Sequence, residues 1–258
     1  MINYNIGIQL TKNSENFLRL ITDFESKENV HCIHIPSDDI LKEIFPSLDI
    51  LATHRMNDKL FSYASDKLKW IHFGSAGIEN FLFPSIIKSK TIITNSSGIH
   101  ADSVSEFVIA SMLYFSKQFK ECHAFYNNKE WTQWDIARKM NNLKGKTIGI
   151  IGYGSIGKAI GVRSKAFGMR VIGLRRLQKK IESKKTIDYL LPLSELDFLL
   201  KESDYVVISC PLTPLTKGLI GHNELNKMKK TSYLINIARG SIIDENSLID
   251  NLKKHKIA

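Results

Sequence analysis

The sequence predicts an α/β protein built from two units, each a parallel β-sheet covered by helices. Short apolar runs alternate with amphipathic runs along the chain, which is the pattern of strands and helices in such sheets. The alternation occurs twice, and a stretch with helical periodicity from Asp102 onward separates the two occurrences. The chain has 258 residues, 43% of them hydrophobic, which is enough for two modest cores. We place the units at residues 1–98 and 99–258.

The first unit contains five predicted strands, YNIGIQL, VHCIHI, LDILATH, LKWIHFG and TIITN. Helix-like stretches lie between them, namely ENFLRLITDF, SDDILKEIF and NDKLFSYAS. The segment DSVSEFVIASMLYFSKQFKECHAFY then repeats apolar residues at three- and four-residue steps, which predicts one long helix that opens the second unit. An aromatic loop, EWTQWD, follows this helix.

The second unit repeats the alternation. Its predicted strands are TIGIIG, RVIGLR, YVVISC and SYLINIA, and its predicted helices are SIGKAIGVRSKAF, LSELDFLLKES and ENSLIDNLKKH. This order again predicts a parallel sheet with helices on its faces.

Charge is distributed unevenly between the two predicted units. The formal net charge is +10, yet residues 1–98 carry 10 Lys and Arg against 11 Asp and Glu, whereas residues 99–258 carry 26 against 15. A basic unit favours a polyanionic ligand such as a nucleic acid or a dinucleotide. No RNA-binding, zinc-finger or helix-turn-helix motif accompanies the charge, so a nucleic acid is not the expected partner.

Cysteine spacing and hydropathy exclude further classes of protein. Cys32, Cys122 and Cys210 are odd in number, far apart and not in a CxxC arrangement, so we expect buried thiols, no disulfide framework and no metal site. The start MINYNIGIQL lacks a basic flank followed by an apolar core, and no apolar run approaches the roughly 18 residues that span a bilayer. We therefore expect a cytoplasmic protein without a membrane partner.

A glycine motif indicates the chemistry of the second unit. In TIGIIGYGSIG, Gly152, Gly154 and Gly157 form GxGxxG directly after a predicted strand and directly before a predicted helix. The first glycine allows a tight turn, the second lets the backbone approach a pyrophosphate, and the third lets the helix pack closely on its strand. The helix amino terminus would then bind the phosphates. The motif predicts a dinucleotide site; the alternative is a glycine turn kept for packing.

Two arginines follow the next strand, where a dinucleotide-binding chain usually carries a carboxylate for the adenosine ribose. Arg175 and Arg176 stand there in VIGLRR. Guanidinium groups bind phosphate oxygens and stack on adenine, so they favour a 2′-phosphate over a free hydroxyl. We predict NADP(H) as the preferred cofactor and NAD(H) as the alternative. A competing interpretation is a solvated basic run that continues through Lys179, Lys180, Lys184 and Lys185.

Five motifs occur in a characteristic order: FGSAGIEN, SSGIHADSVSEFVIASML, LKGKTIGIIGYGSIGKAI, CPLTPLTKGLI and INIARGSIIDENSLIDNLK. They resemble the substrate loop, the hinge and first cofactor-domain helix, the glycine motif, the proline-threonine loop and the arginine signature of the D-2-hydroxyacid dehydrogenases. That family includes glyoxylate and hydroxypyruvate reductases and phosphoglycerate dehydrogenase. The resemblance implies two doubly wound domains, a flavodoxin-like substrate domain over residues 1–98 and a Rossmann cofactor domain over residues 99–258, with the active site in the cleft between them.

The resemblance also implies roles for individual residues. Arg239 matches the family's catalytic arginine, which holds the carboxylate and carbonyl of the α-keto acid. Ser75, Ala76 and Gly77 would present backbone N–H groups to the same carboxylate. Arg55 stands where similar reductases place a further anion-binding group, although a surface role is the alternative.

Further residues match the family's cofactor-binding positions. Ser155 and Ile156 would touch the pyrophosphate, together with Gly152, Gly154 and Gly157. The adenine and ribose side would be lined by Cys210, Pro211 and Thr216, and the nicotinamide end would be approached by Ile237, Ala238 and Arg239.

In the mechanism that the resemblance implies, nicotinamide delivers hydride to the keto carbon while a histidine, kept protonated by a glutamate, donates a proton. In the family these two residues follow the helix that ends here in LKKHKIA, so they would lie beyond Ala258. None of the eight histidines stands at that position. We therefore expect a cofactor domain that is incomplete at its carboxyl end, or shortened in its gene.

Two functions stay open on these grounds. The first is an NAD(P)H-dependent reductase of a small 2-keto acid such as glyoxylate or hydroxypyruvate, and the reverse dehydrogenase reaction on the 2-hydroxy acid. The second is a non-catalytic dinucleotide-binding scaffold of the corepressor type. Family likeness further implies a homodimer that packs through the long helix and the EWTQWD segment.

Overall fold

A computed structural model describes residues 4–10, 15–27, 30–129 and 131–258. Glu130, the first residue of the predicted aromatic loop, lies outside these ranges. The chain divides into two compact units, Met1–Ile99 and His100–Ala258. The boundary placed from the sequence lies one residue earlier.

The first unit contains a five-stranded parallel sheet. Its strands are β1 (Tyr4–Gln9), β2 (Val30–His34), β3 (Ile50–Thr53), β4 (Trp70–Phe73) and β5 (Ile92–Asn95). They lie in the order β2-β1-β3-β4-β5, and every neighbouring pair is parallel. This is the order of flavodoxin-like sheets, so the predicted arrangement is confirmed.

Four helices belong to this unit: α1 (Glu15–Lys27), α2 (Asp38–Ile44), α3 (Asp58–Phe61) and α4 (Pro84–Lys88). Two of them begin at polar caps, since the side chain of Ser37 accepts from the N–H of Ile40 and that of Asn57 from the N–H of Leu60. The helix α3 is much shorter than the predicted NDKLFSYAS segment, because Ser62 ends it.

The core of the first unit lies between the sheet and its helices. Leu51, Ile71 and Phe73 on the central strands are fully buried, as are Leu41 and Phe45 on and after α2. The rings of Phe73 and Phe81 stack with their centroids 5.0 Å apart.

The second unit begins with three helices, α5 (Ala101–Ser116), α6 (Phe119–Asn128) and α7 (Gln133–Lys139). The prediction of one long helix from Asp102 is wrong. Gln118 adopts a left-handed conformation with φ of 54°, and the carbonyl of Ser116 accepts from the N–H of Asn141 at 2.8 Å, so the helical ladder ends there. The helical spacing of apolar residues continues across this break, so the sequence pattern gives no sign that the helix ends.

The segment predicted as an aromatic loop contains the start of α7. The carbonyl of Thr132 accepts from the N–H groups of Asp135 and Ile136 at 3.1 and 3.2 Å, which closes the first turn. Ile136 is buried and anchors this helix, whereas Trp131 and Trp134 are exposed.

The sheet of the second unit has six strands: β6 (Thr147–Ile151), β7 (Arg170–Leu174), β8 (Glu182–Lys184), β9 (Ile187–Leu191), β10 (Tyr205–Ile208) and β11 (Tyr233–Asn236). Its order is β11-β10-β6-β7-β9-β8, and all neighbours are parallel except β8, which is antiparallel to β9. The predicted Rossmann arrangement is thereby confirmed. The hairpin of β8 and β9 was not predicted.

The remaining helices are α8 (Ser155–Ala166), α9 (Leu196–Glu202), α10 (His222–Leu225) and α11 (Glu245–Lys253). Apolar clusters cover both faces of the sheet; one includes Ile148, Ile150 and Val207, and the other includes Ile151 and Ile208. Within the described ranges, no helix is both long enough and apolar enough to cross a bilayer.

Candidate functional site

The carboxyl ends of four parallel strands meet in the second unit. Ile151 at the end of β6 is paired with Leu174 at the end of β7 and with Ile208 at the end of β10, and Ile208 is paired with Asn236 of β11. The residues that follow these strands therefore lie side by side. They begin with Gly152, Arg175, Ser209 and Ile237, so this edge of the sheet gathers most of the cofactor-binding positions expected from the sequence.

Steric limits fix the glycine turn after β6. Gly152 has φ of 102°, and a Cβ atom on it would stand 2.5 Å from the backbone nitrogen of Cys210. A Cβ atom on Gly157 would stand 2.6 Å from the carbonyl oxygen of Gly152. The first and third glycines therefore permit the turn and the close approach of α8 to its strand.

The amino terminus of α8 is open. Gly154 is the cap residue and provides no side chain, and in the described chain the N–H groups of Ser155 and Ile156 form no hydrogen bond. A Cβ atom on Gly154 would contact nothing within 4 Å. The side chain of Ile156 packs on the core, so its backbone is the part available to a ligand. Such a terminus binds anions through its N–H groups and its dipole.

A cavity of about 280 Å³ lies beside this turn. Its wall includes seven residues that the sequence indicated, which are Gly152, Gly154, Arg175, Arg176, Cys210, Pro211 and Thr216. Apolar side chains form much of the rest, including Leu174, Leu177, Leu193, Leu215 and Leu219. An apolar slot with a few charged groups at its rim is typical of small-molecule sites.

Arg175 and Arg176 are exposed at the rim of this cavity. The positive charge of Arg175 acts on the carboxylate of Glu182, which pairs with Lys184 at 2.8 Å. That hydrogen bond is the main reason that the pKa of Glu182 is lowered, and the charge of Arg175 adds to the effect. Among the described residues neither guanidinium has a carboxylate within 4.0 Å, and both arginines contribute to the wall of the cavity.

The loop after β10 is tied to the glycine turn and closed on itself. The hydroxyl of Ser209 donates to the carbonyl of Gly152 at 2.8 Å. Thr216 donates to the carbonyl of Pro211 at 2.7 Å and accepts from the N–H of Thr213 at 2.8 Å. Burial raises the pKa of the Cys210 thiol, which keeps it protonated and unreactive at neutral pH. These hydrogen bonds fix the loop as one wall of the cavity.

Arg239 lies three residues after β11 and is exposed. Asn236, the last residue of that strand, donates from Nδ2 to the carbonyl of Arg239 at 2.9 Å and accepts from the N–H of Ala238 at 3.0 Å. The Asn236 side chain thus holds the backbone that presents the guanidinium. Ile237 and Ala238 pack on opposite faces of the sheet.

The first unit carries the remaining expected positions at the carboxyl end of its own sheet. Ser75, Ala76 and Gly77 follow β4, and Arg55 follows the neighbouring strand β3. The guanidinium of Arg55 forms an exposed ion pair with Asp38, with nitrogen and oxygen 3.0 Å apart. Its positive charge is therefore partly neutralised.

Several residues of the cavity wall were not predicted from the sequence. Tyr153 is buried within the glycine motif and donates from its hydroxyl to the carbonyl of Thr186 at 3.1 Å. Leu193 reaches the cavity from the segment after β9. The apolar run YLLPL that precedes and includes Leu193 was a signal for this strand and its following turn.

The residues of the second unit fit a dinucleotide. Gly154 leaves open space beside a helix terminus whose N–H groups have no acceptor in the described chain, and two exposed arginines line the adjoining cavity. A pyrophosphate and a phosphorylated or free ribose are the chemical groups that such an arrangement binds.

Comparisons with known proteins agree with this geometry. Residues 109–258 match the family described as D-isomer specific 2-hydroxyacid dehydrogenase, NAD binding domain. The glyoxylate reductase of Thermococcus litoralis is 32% identical over 252 residues, which covers 95% of this chain and 75% of that protein. The glyoxylate reductase of Pyrococcus horikoshii is 34% identical over 232 residues, covering 87% of this chain and 68% of that protein.

The fold is also found in solved structures. A D-isomer specific 2-hydroxyacid dehydrogenase family protein from Aeromonas salmonicida subsp. salmonicida superimposes with a TM-score of 0.83. It is 24% identical and covers 98% of this chain and 79% of that one. This likeness concerns the arrangement of helices and strands.

Proposed function

Because the chain belongs to the D-isomer specific 2-hydroxyacid dehydrogenase family, we propose that it is an NADPH-dependent reductase of a small 2-keto acid, of the glyoxylate or hydroxypyruvate reductase type. The family membership makes it an oxidoreductase with a nicotinamide cofactor. The choice of NADPH, the substrate and the residue roles are the proposed parts.

One observation carries the proposal. The glycine turn, the open terminus of α8 and two arginines without an ion pair in the described chain lie along the same edge of one sheet, around one cavity. A 2′-phosphate at Arg175 and Arg176 would be bound by charge-assisted hydrogen bonds, whereas the hydroxyl of NADH offers neither the charge nor the acceptors.

When bound, the nicotinamide would supply a hydride to the keto carbon, and the resulting alkoxide oxygen would take a proton from solvent water. The protein's own residues bind and orient the keto acid. Arg239 suits the carboxylate and carbonyl of the acid because guanidinium geometry is planar and forked. The loop Ser75, Ala76 and Gly77 supplies backbone N–H donors for a carboxylate. Backbone donors and one arginine recognise a small acid without fixing its remaining substituent, so glyoxylate and hydroxypyruvate are both candidates.

The test is steady-state oxidation of NADPH by the purified chain, followed at 340 nm, with glyoxylate or hydroxypyruvate as substrate. Turnover that depends on the keto acid is the expected result. A cofactor titration on the same preparation separates binding from turnover. Tight NADPH binding with no reduction of either acid would overturn the reductase and favour a dinucleotide-binding scaffold.

We further expect a homodimer in the cytoplasm. Large aromatic side chains are exposed on α5, on α6 and just before α7, where Phe107 is 62%, Tyr126 is 76% and Trp131 is 79% exposed. Exposed large aromatic side chains are enriched where subunits contact each other. Light scattering that gives the mass of two chains would agree with this, and the mass of one chain would contradict it.

A further inference from the structure

The loop after β4 has three successive carbonyl groups that all accept hydrogen bonds. The carbonyl of Ser75 accepts from the N–H of Ser96 at 3.2 Å, and that of Ala76 accepts from Nδ2 of Asn95 at 2.6 Å. The carbonyl of Gly77 accepts from the hydroxyl of Ser75 at 3.2 Å. Two of the three donors belong to Asn95 and Ser96, at the end of the neighbouring strand β5.

These bonds determine where the N–H groups of the loop point. A trans peptide directs its carbonyl and its N–H to opposite sides, and the described chain has no cis peptide. Holding the carbonyl of Ser75 towards β5 turns the N–H of Ala76 away from it, and holding the carbonyl of Ala76 does the same for the N–H of Gly77. In the described chain neither N–H has an acceptor. Successive N–H groups turned to one side form an anion-binding concavity.

The donors on β5 are themselves held in place. Phe73 of β4 is paired with Asn95, and the N–H of Ser96 also donates to the carbonyl of Phe73 at 3.0 Å, which continues the ladder. Behind them, Nε2 of His72 lies 3.1 Å from the hydroxyl oxygen of Ser96, and Nδ1 lies 2.9 Å from that of Thr94. Asn95 is therefore held by the strand ladder, and its side chain reaches the loop that follows β4.

We infer that Asn95 is a positioning residue, which aims the N–H of Gly77 at the carboxylate of the substrate by holding the carbonyl of Ala76. This role rests on the proposed function, because it requires that the loop bind a carboxylate. An amide is the side chain suited to the task. Its Nδ2 can only donate, it carries no charge that would repel the substrate, and it is short enough to reach the loop from a strand end.

The test uses Asn95→Leu, which keeps the approximate shape of the side chain and removes the donor. We expect KM for glyoxylate to rise about tenfold, or about 1.4 kcal/mol, while KM for NADPH changes less than twofold. Asn95→Asp should raise KM further, because its carboxylate would face the carbonyl of Ala76 and repel an acidic substrate. The control is Asn5→Leu. Asn5 makes the same type of bond, from Nδ2 to the carbonyl of Ser47 at 3.1 Å, at the opposite end of the same sheet.

Ligand binding can be measured for variants whose turnover is too slow for steady-state kinetics. Calorimetry on the NADPH-saturated protein with oxalate, a carboxylate that cannot be reduced, should give about tenfold weaker binding for Asn95→Leu than for the wild type and for Asn5→Leu. Equal oxalate affinity and equal KM in the wild type and Asn95→Leu would overturn the positioning role and leave the reductase intact. A wild-type chain that neither binds oxalate nor reduces glyoxylate would overturn the proposed function and this role with it.

Discussion

The two units each carry a candidate anion site at the carboxyl ends of their strands, and they build it differently. In the second unit the site combines a helix terminus with Arg175 and Arg176, two fixed charges without an ion pair in the described chain. In the first unit the loop after β4 offers neutral backbone N–H groups, and its neighbour Arg55 is paired with Asp38. Fixed charges can discriminate a phosphate from a hydroxyl, whereas backbone donors accept any small carboxylate.

The two sites also differ in what holds their backbone. Steric limits set the turn at Gly152, because a side chain there would overlap the backbone of Cys210. Hydrogen bonds from Asn95 and Ser96 set the loop of the first unit. Adding a side chain should disrupt the turn at Gly152, whereas removing a hydrogen-bond donor should disrupt the loop of the first unit. The two sites can therefore be tested separately by substitutions of opposite kinds.

The largest expected effect concerns Arg239. Replacing it with glutamine removes the charge and half of the fork, so we expect kcat/KM for the keto acid to fall about 10²- to 10³-fold. NADPH affinity should change little, because the carboxylate partner is on the acid. Steady-state kinetics and cofactor titration measure the two quantities, with Arg138→Gln as the matched control, since Arg138 forms an exposed ion pair with Asp135 on α7. Equal losses for acid and cofactor would mean that Arg239 serves the cofactor.

Alanine substitutions at Gly152 and Gly154 should differ in their effect on stability, although both glycines belong to the same turn. Gly152→Ala should lower the free energy of unfolding by about 2–4 kcal/mol, because it adds strain at positive φ and an overlap with the backbone of Cys210. Gly154→Ala meets no atom within 4 Å, so stability should change by less than about 1 kcal/mol. NADPH affinity should nevertheless fall about tenfold in Gly154→Ala. Urea unfolding and fluorescence titration test both; a stable Gly152→Ala chain with normal affinity would contradict the steric account.

A smaller effect is expected at Asp188 on β9. Partial burial raises its pKa, but hydrogen bonds from the N–H of Val171 and from Lys165 at 2.7 and 2.9 Å outweigh burial and lower the pKa below its usual value. A lowered pKa stabilises the fold above the unfolded-state pKa of about 3.9, and this contribution is lost as pH falls through the folded-state pKa.

Asp188→Asn should therefore reduce the free energy of unfolding by about 1 kcal/mol at pH 7, an amount discounted because the carboxylate is about a third exposed. The difference from the wild type should shrink as the pH is lowered below 4. Urea unfolding across this range measures it. A difference that stays constant with pH would contradict an ionic origin.

The fold class, the family and nine of the strands could be predicted from the sequence, because apolar runs of parallel strands are continuous and the motifs stand in order. The hairpin of β8 and β9 was missed because β8 has only three residues, Glu182–Lys184, and carries no apolar pattern; the apolar run of β9 was a signal that went unused. The break at Gln118 was missed because it depends on Asn141, 23 residues later. The site residues named from the sequence stay predictions.

Asn95 shows most directly what the sequence could not reveal. Its contact with the carbonyl of Ala76 joins residues 19 apart and exists only because β4 and β5 are neighbours with a particular register. A sequence motif readily identifies residues that contact a ligand directly. It identifies less readily a residue that acts by positioning another peptide group.

We propose that the second unit selects NADPH through Arg175 and Arg176. Fluorescence titration of the wild type with NADPH and NADH, repeated on the Arg175→Ala, Arg176→Ala double variant, tests it directly. We expect the wild type to bind NADPH at least about tenfold more tightly than NADH, and the double variant to lose this preference while keeping its NADH affinity. Equal or tighter binding of NADH by the wild type would contradict it.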